Sequence, residues 1–158
     1  MDEPQQIEWT GEISYAHFIH TDLGSPCYRI HGHNSKISLS IVGMLGGDGM
    51  VIDFRKVKEI VNEYDHKFLV PENNITFMPG VGAEITDGKN KIITIHTGYT
   101  ASILCLNVPV VTAECLARNL ANKILKSQLN IMIVECVWCE TEKNKATYVA
   151  TKPGFDKS

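Results

Sequence analysis

The sequence predicts an α+β domain spanning 1–158: an antiparallel four-stranded sheet with two helices on one face and an inserted hairpin. Three observations carry that reading. Segments with strand character come in two pairs, one near each end of the chain. Two segments with helical periodicity stand between the pairs, each headed by a capping residue, Asp53 and Thr112. Between those helices lies a run rich in Gly, Pro, Asn and Asp, followed by two short apolar segments around Gly98.

Residues 1–6 read as a loose lead-in. The segment 7–18, IEWTGEISYAHF, holds enough β-branched and aromatic residues for a strand, and Gly24, Ser25 and Pro26 place a loop after it. Over 36–42, Ile37, Leu39 and Ile41 alternate with Lys36, Ser38 and Ser40, the pattern of a half-buried strand. Asp53 caps a helix over 54–64 whose Phe54, Val57, Val61 and Tyr64 share a core-facing side. The run 71–90 reads as loop, and 91–96 with 102–106 as a hairpin across Gly98. Thr112 caps a second helix to about Lys126, with Leu116, Leu120 and Ile124 along one face. Strands over 131–141 and 146–151 flank the polar turn EKNK, and the tail after Pro153 reads as frayed.

Composition narrows the classes of function. A hydrophobic content of 44% supports a buried core, and a net charge of -3 gives no sign of a nucleic-acid or bilayer surface. The start, MDEPQQIEWT, lacks the pattern of a signal peptide, and no apolar run approaches the ~20 residues of a membrane helix. Five scattered cysteines fit a reducing, cytoplasmic setting better than a disulfide framework.

The chemistry concentrates in CYRIHGH, residues 27–33. His31 and His33 sit two apart, so in extended backbone both imidazoles project from one face. With His17 they make three imidazoles and no fourth protein ligand, the donor set of a catalytic zinc site with one position open. Cys27 is a candidate acid, base or nucleophile beside it; the plainer alternative is ordinary surface histidines and a buried thiol. Asp65-His66 follows the first helix, where a carboxylate beside an imidazole suits proton transfer; alone, the dipeptide also reads as a solvated helix end. Glu140 shares a strand face with Met132, Val134, Cys136 and Trp138, so its carboxylate is either exposed at the strand end or grips the paired N–H groups of a guanine- or pterin-type ring. Glu114 is favoured in the first turn of a helix by the dipole alone. His20 and His96 read as surface residues without partners. The CVWC of Cys136 and Cys139 lies inside an apolar strand, where positions three apart face opposite sides, so both cysteines read as packing residues.

Taken together, ISYAHF, CYRIHGHN, GMVIDFRKVK, DHKFLV, TAECLARNLA and CETEKNKATY resemble the 6-pyruvoyltetrahydropterin synthase / 6-carboxytetrahydropterin synthase family, in family order and across most of the chain. The resemblance implies the tunnelling fold, a ββααββ unit assembled into barrel-like homo-oligomers, usually hexamers, with active sites between subunits. It implies zinc held by His17, His31 and His33, a catalytic thiol at Cys27 assisted by Asp65 and His66, and a pterin ring anchored by Glu140. Thr112 and Glu114 fall in the family's pterin-pocket segment. The implied substrate is 7,8-dihydroneopterin triphosphate, a small molecule. Two features depart from the compact members: the segment between DHKFLV and TAEC is longer, and Val111 stands where many have Pro or Thr. Cys27, in place of an acidic residue, argues against the branch that makes a folate precursor.

Three functions compete at this stage. The first is a zinc-dependent 6-carboxy-5,6,7,8-tetrahydropterin synthase of 7-deazaguanine (queuosine or archaeosine) biosynthesis, releasing acetaldehyde and triphosphate. The second keeps the site and makes 6-pyruvoyltetrahydropterin. The third is a non-catalytic pterin- or purine-binding module on the same fold, for which Cys27 is dispensable.

Overall fold

The first two strands set the frame. In the computed structural model, which describes residues 3–155, β1 (Gln5–His17) and β2 (His31–Gly43) pair antiparallel without a break from Gln5↔Gly43 to His17↔His31. Gln5 and Gln6 belong to β1 rather than to a lead-in. β2 pairs antiparallel with β8 (Ile131–Cys139), and β8 with β9 (Lys145–Thr151). The expected four-stranded sheet is instead a six-stranded one, of which β1-β2-β8-β9 is the antiparallel part. Two short strands, β3 (Lys67–Pro71) and β7 (Ile103–Leu106), extend it in parallel beyond β1, giving the order β7-β3-β1-β2-β8-β9. A five-residue strand buried over Leu69–Pro71 needs no alternation, so KFLVP carries no period-2 signal.

The segment between the helices departs further from expectation. β4 (Ile75–Met78), β5 (Gly82–Thr86) and β6 (Lys91–His96) form a separate antiparallel meander, so 71–90 is not all loop. β6 and β7 lie in different sheets, and the expected hairpin across Gly98 does not form. The turn residues that suggested a loop are spent on tight reversals. Gly82 has φ +148, and a Cβ there would fall 1.8 Å from the Ile95 carbonyl oxygen.

Asp53 caps α1 (Phe54–Asn62) by accepting from the Arg55 N–H at 2.8 Å, and Thr112 caps α2 (Ala113–Ser127) by accepting from Cys115 N–H. Val57, Val61, Leu116, Leu120 and Ile124 are all buried, packed with Ile13, Ile37, Leu39, Ile41, Val134 and Trp138 of the sheet. Tyr64 is buried just past the end of α1, its hydroxyl on Asn119 Oδ1. Phe54 is the exception: at the first helical position it stays 51% exposed. The opposite face of the sheet carries Glu8, Thr10, Glu12, Lys36 and Ser38. A smaller core of Phe18, Val70 and Ile85, flanked by Phe68, Ile75, Ile92, Ile95 and Ile103, bolts the meander to the end of β1.

Strand β8 ends at Cys139, before Glu140, and the turn to β9 closes through Asn144. The frayed tail expected after Pro153 lies in part, at 156–158, outside the described residues. Among the described residues, no helix is long and apolar enough to cross a membrane.

Candidate functional site

Antiparallel register builds the centre. His17 stands opposite His31, and Tyr15 opposite His33, so the side chains of all three histidines leave the same face of the β1–β2 ribbon at its end. Their ring nitrogens lie within 4.8 Å of one another. His17 Nδ1 donates to the Val111 carbonyl at 2.7 Å, and His31 Nδ1 donates to the Arg29 carbonyl at 2.7 Å. A carbonyl only accepts, so in each ring the proton sits on Nδ1 and Nε2 offers a lone pair. Those two Nε2 atoms face each other at 3.1 Å. Two lone pairs at that separation repel unless a cation lies between them. A tetrahedral metal with nitrogens at ~2.0–2.1 Å spaces them by about 3.3 Å. The donor set therefore fits a divalent ion, and the backbone carbonyls do the orienting that metal-bound imidazoles need.

Electrostatics agree. Burial holds the His17 imidazole down at about 4, assisted by the neighbouring His31 and His33, against the Val111 carbonyl, which acts to raise it. Burial also lowers His33, opposed by the Glu140 carboxylate. Both rings are neutral at neutral pH, the form that ligates. Beneath them Tyr15 is edge-on to His17, with its ring centroid 5.4 Å away, and its hydroxyl oxygen accepts from Trp138 Nε1–H and Ser35 Oγ–H. Desolvation raises the Tyr15 phenol, which stays un-ionised.

A cavity of about 230 Å³ opens over the histidines, and Cys27, Thr112, Glu114 and Glu140 line it with them. Glu140, one residue past β8, points Oε1 at His33 Nε2 (3.4 Å) and His17 Nε2 (3.6 Å). Cys27 is exposed, in a single 3₁₀ turn, Pro26–Tyr28, where the Ser25 hydroxyl accepts from Cys27 N–H. Thr112 and Val111 work together: one caps α2 and the other carries the carbonyl that orients His17.

Asp65 and His66 stand elsewhere. Their side chains do meet, Nδ1 to Oδ2 at 3.0 Å, and Asp65 Oδ1 accepts from the Ser14 N–H at 2.8 Å. His66 has φ 56 and an 82% exposed side chain, and it lines a second cavity with Ser14, Ala16, Gly32, Asn34 and Phe68. Cys27 does not line that cavity; His33 lines both. Of the nine residues singled out by sequence, seven share one cavity and this pair does not.

The family whose sequence pattern is described as 6-pyruvoyl tetrahydropterin synthase matches residues 6–151. The chain belongs to this family. Among its relatives, a Pyrococcus horikoshii protein that provisionally carries the name 6-carboxy-5,6,7,8-tetrahydropterin synthase is 34% identical over 124 residues, 78% of this chain and 75% of that one. The 6-carboxy-5,6,7,8-tetrahydropterin synthase of Bacillus subtilis is 36% identical over 59 residues, 36% of this chain and 40% of its own. The crystal structure of 6-pyruvoyl tetrahydropterin synthase from Plasmodium vivax superposes with a TM-score of 0.70 at 22% identity, covering 96% of this chain and all of that one. At that identity the likeness speaks for the fold, which is that of these pterin synthases.

Other features had no usable sequence signal. The Arg29 and Val111 carbonyls act as backbone, so no residue type announces them. Asn144 and Lys145 line the histidine cavity from the polar EKNK turn, whose composition alone marked it as surface. His20 is not a simple surface residue, since its Nδ1 is buried without a partner among the described residues. His96 is exposed, and its Nδ1 accepts from the Gly98 N–H. Cys136 is buried, its thiol pushed up to about 12 by desolvation, and Cys139 faces the other side, as packing residues should.

Proposed function

We propose that the chain is a zinc-dependent 6-carboxy-5,6,7,8-tetrahydropterin synthase, a lyase that converts 7,8-dihydroneopterin triphosphate to 6-carboxytetrahydropterin, acetaldehyde and triphosphate. The pathway is 7-deazaguanine (queuosine or archaeosine) biosynthesis. The observation that carries the reading is the trio of Nδ1-anchored or converging imidazoles under a cavity that also holds a thiol and two carboxylates. The names of the Pyrococcus and Bacillus relatives support this branch.

His17, His31 and His33 hold the metal, which when bound polarises oxygens of the substrate side chain. Glu140 and Glu114 face the ring, where a carboxylate can accept from paired N–H groups, and Thr112 completes that wall. Cys27 moves the proton at the side-chain carbon. Asp65 orients His66 as a proton carrier through the 3.0 Å contact. The pair reaches Cys27 from a second copy of the chain, in a homo-oligomer, a hexamer, with sites between subunits.

A second reading, 6-pyruvoyltetrahydropterin synthase, keeps every residue role; the family's description and the fold neighbours carry that name. Mass spectrometry of products from zinc-loaded protein and 7,8-dihydroneopterin triphosphate separates the two. Carboxytetrahydropterin with acetaldehyde establishes the first. A pyruvoyl product without acetaldehyde establishes the second, and unchanged substrate refutes both in favour of a binding module.

A further inference from the structure

The longer segment between the helices does something specific at the site. Its meander ends the β5–β6 turn in Asp87-Gly88-Lys89-Asn90, a reversal that Gly88 permits with φ +98. Asp87 Oδ1 accepts from the Lys89 N–H at 2.8 Å and the Asn90 N–H at 2.6 Å, and the Asp87 N–H donates to the Asn90 carbonyl. That leaves Oδ2 aimed outward, where it accepts from the Tyr28 hydroxyl at 2.6 Å. Tyr28 is the residue after Cys27. The Tyr28 hydroxyl, with these backbone donors, holds the Asp87 carboxyl well below the usual carboxylate range, so it remains an ionised acceptor.

Among the described residues the Cys27 turn is otherwise held by Ile19 N–H donating to the Cys27 carbonyl at 2.8 Å, by the Ser25 cap, and by its own backbone bonds from Tyr28 N–H to the Ser25 carbonyl and from Arg29 N–H to the Pro26 carbonyl. The Ile19 tie joins the turn to the residue after the buried Phe18, while the other ties lie within the β1–β2 connection itself. Asp87 comes from 59 residues away, on a sheet anchored through Ile85 to Phe18, the neighbour of His17. The same small sheet thus reaches the histidine end of β1 through its core and the thiol turn through its tip.

We propose that the β4–β6 meander is a positioning element for Cys27, with Asp87 as the positioning residue that locks the thiol turn through Tyr28. This rests on the reading of Cys27 as the proton-moving thiol. The hydroxyl–carboxylate contact braces the thiol turn from the meander side, opposite the Ile19 tie, and a displacement of about 1 Å there is enough to cost on the order of a hundredfold in rate.

The test compares Tyr28→Phe, Asp87→Ala, their double variant and Cys27→Ala in the zinc-loaded full chain. Three quantities are read: metal content, kcat and KM on 7,8-dihydroneopterin triphosphate, and the rate of Cys27 alkylation by iodoacetamide, followed by peptide mass spectrometry. Tyr28→Phe and Asp87→Ala are expected to keep the metal, to lower kcat by about 10- to 100-fold with KM little changed, and to speed Cys27 alkylation. The double variant should be no worse than either single one, because both remove the same contact. Tyr28→Phe deletes one oxygen and leaves the Asp87 turn intact, so it stays informative even if Asp87→Ala disturbs the meander. Wild-type kcat and wild-type alkylation in Tyr28→Phe, with Cys27→Ala inactive, overturn the anchoring and leave the site reading standing. Normal turnover by Cys27→Ala overturns the thiol's role itself, and the positioning proposal with it.

Discussion

Acidification of the metal-free protein probes the histidine centre directly. His17 is 1% exposed, and its folded pKa of about 4 lies below the ordinary 6.5. The unfolded chain therefore takes up the proton first, and stability falls as pH drops through 6.5 toward 4, then levels off. The full gap corresponds to about 3 kcal/mol, and acidification from about pH 7.5 to 5 removes about 2 kcal/mol of it. The assay is urea unfolding of chelator-treated protein at the two pH values, followed by fluorescence of the buried Trp138. The comparison is with His17→Gln, which cannot titrate. Wild type should lose about 2 kcal/mol more than the variant over this interval. His33, also lowered, adds the same sign to both proteins and cancels. With metal bound the loss should steepen, because protons then compete with the ion for the same Nε2 lone pairs. Equal slopes for wild type and His17→Gln would refute the buried neutral imidazole.

His31→Ala should lose the metal, whereas Cys27→Ala should retain it and lose turnover; metal analysis beside product formation checks both. Gly82→Ala should destabilise by about 3 kcal/mol or more, since its φ of +148 and the Ile95 oxygen 1.8 Å from the added Cβ leave no room, and urea melts measure it. Leu120→Ala, at a fully buried position, should cost about 2–5 kcal/mol, while Phe54→Ala at a half-exposed one should cost far less; paired thermal or urea melts decide it.

Local chemistry made much of this chain legible. Asp53 and Thr112 signalled their helices because a side-chain acceptor before an amphipathic run satisfies N–H groups that no helix can satisfy itself. Ile37, Leu39 and Ile41 marked a strand because the pleat sends alternate residues to a core. His31 and His33 were visible as a donor pair because i and i+2 share a face whatever the strand pairs with. Tertiary structure decided the rest. Which strands neighbour each other is a matter of long-range pairing, so β3 and β7 joined the main sheet while β6 turned to β5, without any change in local pattern. His17 became a partner of His31 only through a register across fourteen residues. Its tautomer is set by a carbonyl 94 positions away. The contact of Tyr28 with Asp87 has no signature in either segment, because a hydroxyl and a carboxylate far apart in sequence meet only when two sheets have packed. Residue type determined what each group can do; the fold determined which groups do it together.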